Sequence, residues 1–107
     1  MEIQLMAGHI RLGIVEARVV DSSMGVIGGK LQASNEYYAD FQQFFRAHNK
    51  RPDWQKLQEI ELVTVSQVSG ILTAQGGICI EDVEGFDDIE VQVCGVDFQV
   101  VREFLSL

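Results

Sequence analysis

Basic side chains are scarce in the second half of this chain. No Lys or Arg lies between Lys56 and Arg102. Residues 1–56 carry six acidic and seven basic side chains, whereas residues 57–107 carry ten acidic side chains and Arg102 as their one base. The formal net charge of −8 argues against contact with nucleic-acid phosphates, which requires a basic patch to displace condensed counterions. It argues equally against an anionic membrane surface. A cationic partner, a divalent metal or simple solubility fits better.

Other shortages narrow the field further. Two cysteines in 107 residues do not make a secreted disulfide scaffold. No apolar run is long enough to span a bilayer. The opening Met1-Glu2-Ile3-Gln4-Leu5 lacks the basic and apolar regions of a signal peptide, so a cytoplasmic location is expected. A single proline and a hydrophobic fraction of 47% describe a globular chain rather than a disordered one. The length suits one domain over residues 1–107, large enough to bury a core without staples.

The strongest periodic signal is helical. Ser34 or Asn35 can cap a helix over about 35–50, whose Tyr37, Phe41, Phe44, Phe45 and His48 fall on one face. Glu36, Asp40, Gln43, Ala47 and Lys50 form the opposite stripe. Acid at the start and Arg46, Lys50 and Arg51 at the end suit the helix dipole. Pro52 stops the helix, and Asp53 caps a short second one near 53–58 through Trp54 and Leu57.

Elsewhere the pattern is that of strands. Residues 2–6 alternate loosely. In 9–20 the apolar face moves from Ile10, Leu12 and Ile14 to Val15, Ala17 and Val19, which predicts a bulge or kink near Ile14. Residues 21–25 form a turn and 26–31 a returning strand weakened by glycine. Strands are expected over 60–66, 68–73, 78–84 and 88–93. Residues 97–107 fit either a strand through Val96, Phe98 and Val100 or a helix capped by Asp97 with Phe98, Val101 and Leu105 on one face. The helix over 97–106 is preferred. The fold class is therefore α+β: a mostly antiparallel sheet carrying one long aromatic-faced helix and shorter helical pieces.

Most of the acid sits in Glu81-Asp82-Val83-Glu84-Gly85-Phe86-Asp87-Asp88-Ile89-Glu90. A hairpin centred between Phe86 and Asp87 sets Ile80 against Val93, Asp82 against Val91 and Glu84 against Ile89. Ile78, Ile80, Ile89, Val91 and Val93 then form an apolar back face, and Cys79 lies directly opposite Cys94. Two reduced cysteines acting as small hydrophobes are preferred over a redox or metal role. The acidic tip does not match a calcium loop, because aligning Gly85 with that motif's glycine places Ile80 at the first ligand and Val91 at the last. No metal or other cofactor is expected.

No catalytic signature is present. Met24 to Leu31 lacks the first glycine and the Ser or Thr of a phosphate loop. His9 and His48 match no metal spacing, and there is no nucleophile elbow. The expectation is a non-enzymatic protein whose acidic surface, Asp82, Glu84, Phe86, Asp87, Asp88 and Glu90, binds a basic protein partner in the manner of an inhibitor or immunity protein. The rival expectation is a small-ligand-binding domain or small enzyme. It would use an apolar pocket beside the aromatic helix, with Cys79, Cys94 or His48 as polar groups. Tyr37, Tyr38, Phe41, Phe44, Phe45 and His48 make a stripe wide enough for such a pocket or for a homodimer interface.

Overall fold

The computed structural model describes residues 1–106. Among these residues, eight strands form a curled antiparallel sheet, a half-barrel. They are β1 (Glu2–Ala7), β2 (Ile10–Glu16), β3 (Arg18–Asp21), β4 (Val26–Ala33), β5 (Leu62–Ser66), β6 (Gly70–Leu72), β7 (Gly77–Glu81) and β8 (Glu90–Cys94). Their order is β6-β5-β1-β2-β4-β8-β7, with β3 also on β4. The described residues also hold the α-helices α1 (Gln42–Lys50), α2 (Trp54–Ile60) and α3 (Phe98–Leu105), numbered in chain order.

Strand β4 ties the sheet together. It pairs with β2 through Gly13↔Ala33 to Val15↔Leu31, and with β3 through Arg18↔Gly28 and Val19↔Ile27. Its other edge pairs with β8 from Ile27↔Val93 to Lys30↔Glu90. Glycine is required where these strands crowd. A Cβ on Gly28 would lie 2.4 Å from the Val91 carbonyl oxygen, and one on Gly29 would lie 2.2 Å from that of Glu16. The turn that returns the chain into β4 is held by Asp21, whose Oδ1 accepts from the Ser23 amide, the Ser23 hydroxyl and the Met24 amide. The Ser23 hydroxyl, then the Met24 amide, holds the Asp21 carboxyl below its ordinary value.

The face switch in β2 has a definite origin. Leu5 pairs with Gly13 and Met6 with Arg11, so Leu12 is an extra residue. The bulge thus lies at Leu12–Gly13, just before the expected Ile14. It lets Leu12, Val15 and Ala17 all enter the core.

The long helix is present over 35–50, but not as one regular α-helix. Ser34 caps it by accepting from the Tyr37 amide at 3.2 Å. Tyr37–Phe41 is a π-helical turn, which absorbs one more residue than an α-turn. Tyr37 and Phe45 are thereby separated by an effective seven residues, two turns at about 100° per residue. Their rings stack with centroids 6.1 Å apart and planes 12° apart. Both are buried in a core with Ile3, Leu5, Leu12, Val15, Val91 and Val93. Phe44 packs edge-on to Phe45 at 5.1 Å. A periodic aromatic stripe does not disclose the π-turn, because the sequence alone sets no helix pitch.

Helix α2 begins as expected, with Asp53 Oδ1 accepting from the Lys56 amide at 3.1 Å. It extends through Ile60, so β5 starts later than expected, at Leu62. The C-terminal segment is a helix capped by Asp97, whose Oδ1 accepts from the Gln99 amide. Its buried face is Val101 and Phe104, while Phe98 and Leu105 are exposed, in contrast to the expected Phe98-Val101-Leu105 face.

The hairpin register is corrected. Ile80 pairs with Val91 and Glu81 with Glu90, two residues closer to the turn than expected. A slip of two preserves the faces, so Ile80, Ile89, Val91 and Val93 are buried as anticipated. The slip also moves Cys79 opposite Gln92 and Cys94 opposite Gly77. The cysteines are diagonal neighbours with free thiols. Burial, then the neighbouring Cys79, raises the Cys94 thiol above its ordinary value.

The core placement of Phe45 predicts a large penalty on truncation. Phe45→Ala should lower the unfolding free energy by about 3–5 kcal/mol, measured by urea denaturation. Tyr38→Ala, at an exposed ring, should change it by about 0.5 kcal/mol or less.

Candidate functional site

The connection between β7 and β8, residues 82–89, begins with a buried acid. Asp82 has 0% exposure, whereas Glu84, Asp87 and Asp88 are all exposed. Asp82 continues the parity of Ile78 and Ile80, and so points to the core side of the sheet. There α1 and the turn before it supply the partners. Asp82 Oδ2 accepts from Tyr37 Oη at 2.7 Å and Gln42 Nε2 at 3.2 Å. Arg46 Nε donates to Oδ1 at 3.0 Å and forms the ion pair. Asn49 Nδ2 donates to the Asp82 carbonyl oxygen at 3.0 Å.

This arrangement corrects the place of Asp82 in the expected acidic surface. It is an internal anchor and is not available to a partner. Gln42, Arg46 and Asn49 were missing from the expected site, yet their spacing of four and then three residues is one helical stripe. They flank the aromatic stripe: Gln42 and Arg46 are half-buried and Asn49 is exposed. A polar stripe beside an apolar one, together with an acid at a core-facing strand position, is the signal that identifies them.

Tyr37 shows the electrostatic consequence. Burial first, then its hydrogen bond to Asp82 and that residue's charge, pushes the phenol far above its ordinary value near 10. Its hydroxyl therefore stays protonated and donating.

Beyond Asp82 the chain leaves the sheet as an exposed loop. Phe86 is 69% exposed and Val83 43% exposed. Phe86 does not fold under the turn. Gly85 adopts φ 93°, a left-handed conformation that favours glycine. Asp88 meets Lys30 at 3.2 Å and Glu84 approaches Lys50 at 4.0 Å, all with exposed side chains. Such surface pairs contribute little energy. Glu90 is half-buried and lies between Glu81 on β7 and Lys30 on β4. Glu84, Phe86, Asp87 and Asp88 are thus all exposed, Glu84 toward α1 and Asp88 toward β4. Among the described residues, no three His, Cys, Asp or Glu side chains converge as a metal-binding group.

The aromatic set divides differently. Tyr37 and Phe45 are core residues, Tyr38 is exposed, and Phe41, Phe44 and His48 are half-buried. His48 Nδ1 accepts from the Asp53 amide at 2.9 Å. Its ring lies 5.4 Å from Phe44 and 4.9 Å from Trp54. Phe45 and His48 line a cavity of about 220 Å³ together with Cys79. Cys94 does not line it.

No family model, curated protein or solved structure matches this chain.

Two stability measurements test the anchor. Arg46→Met leaves a buried carboxylate without its counter-charge and should cost about 3–5 kcal/mol. Asp82→Asn keeps an acceptor for Tyr37 and should cost less, about 1–3 kcal/mol. In urea denaturation the double variant should lose less than the sum of the two.

The Tyr37 shift also has a defined pH signature. Its contribution is fully present below the ordinary tyrosine value near 10. It declines as pH rises above that value, because the unfolded chain ionises there while the folded chain retains its proton. Urea midpoints at increasing alkaline pH should fall for the native chain, and Tyr37→Phe should flatten that decline.

Proposed function

We propose that this chain is a non-catalytic, cytoplasmic protein-binding module whose 83–90 loop engages a basic partner. The observation that carries this reading is the exposure of Phe86, 69%, beside exposed Asp87 and Asp88. An aromatic side chain left in water at a loop tip gains contact area only when something covers it. The acids around it raise the encounter rate with a cationic surface and disfavour an anionic one. The buried Asp82 fixes the start of the loop to α1, so less chain entropy is lost on binding than a free loop would lose.

This combination suits an inhibitor-like or immunity-like antagonist of a basic protein. Lys30 and Lys50 sit at the edges of the acidic surface. Their weak, exposed pairs can be exchanged for partner cations at small cost.

Capture of a host partner on the immobilised protein provides the test. Binding should weaken steeply as salt rises, because screening shortens to about 3 Å at 1 M. Phe86→Ala should weaken it at least about tenfold, and Asp87→Lys with Asp88→Lys should abolish it. Capture indifferent to salt and to both variants would contradict the proposal.

A further inference from the structure

The cavity between α1, α2 and β7 is separate from the acidic surface. Its volume is about 220 Å³, and its apolar wall is Phe45, Trp54, Leu57, Ile78 and Ile80. No Asp, Glu, Lys or Arg lines it, so an ionic ligand would lose hydration without meeting an opposite charge. Drug-sized pockets run to about 300–1,000 Å³, and this smaller space suits a single ring.

The polar lining narrows the chemistry further. Because His48 Nδ1 accepts the Asp53 amide, the proton of the neutral ring resides on Nε2. That N–H has no partner among the described residues. The Asn49 amide nitrogen donates to Asp82, which leaves its Oδ1 as an acceptor. One donor and one acceptor beside aromatic walls match a ring bearing a carboxamide: its carbonyl takes the imidazole N–H and its NH₂ takes the Asn49 oxygen.

We propose that this cavity is a binding site for a neutral, single-ring aromatic carboxamide. The inference does not rest on the acidic loop, and neither fails with the other.

Benzamide is the probe and acetamide the control. Methyl NMR signals of Ile78 and Ile80 should shift saturably on benzamide titration of the native chain and stay unmoved with acetamide. Trp54→Ala removes an exposed wall residue, 69% accessible, and should weaken the benzamide affinity at least about fivefold while circular dichroism stays native. Absence of saturable methyl shifts overturns the proposal. Equal shifts with acetamide, or an affinity undiminished in Trp54→Ala, overturns it as well.

Discussion

A carboxylate withdrawn completely from water must have its charge answered by the protein. Asp82 meets that requirement with Tyr37, Gln42 and Arg46, all from the 35–50 helical segment. These contacts join the first irregular turn of that segment, the middle of α1 and the end of β7. Such an ion pair is weak evidence for net stability, because desolvation offsets much of its attraction. What it supplies is position. The π-turn brings Tyr37 into stack with Phe45, and Arg46 and Asn49 bring α1 over the start of the loop.

The surface features follow from that anchor. The sheet face at Ile78 and Ile80 continues into Asp82, so pairing between β7 and β8 ends at Glu81 and Glu90. The intervening residues leave the sheet, and Phe86, Asp87 and Asp88 are presented to solvent. The same docking of α1 beside α2 and β7 encloses the small cavity lined by Phe45, His48 and Cys79. The exposed loop and the cavity therefore lie on either side of α1's contact with β7 and differ in chemistry.

Much of the fold was legible because it is local. The stop at Pro52, the cap at Asp53 and the turn at Asp21 act within a few residues, and each is present. The antiparallel sheet with its long aromatic helix follows from periodicity. The register of β7 on β8 was not legible, because a slip of two leaves every apolar residue on the same face. The role of Asp82 was hidden by its neighbours: in a run of acids, composition does not separate the one that is buried. Its partners lie 45, 40 and 36 residues away, beyond any local pattern. Parity with Ile78 and Ile80 was the available signal, and Gln42, Arg46 and Asn49 were its counterpart on the helix.

Native-state amide hydrogen exchange of Asp82→Ala against the native chain tests the central claim most directly. If Asp82 holds helix and loop together, protection should fall jointly over 37–49 and 82–89, while β1, β2 and β5 keep theirs. A variant that keeps native protection across the helical segment, or loses it only within the loop, would contradict the claim that this carboxylate couples the two.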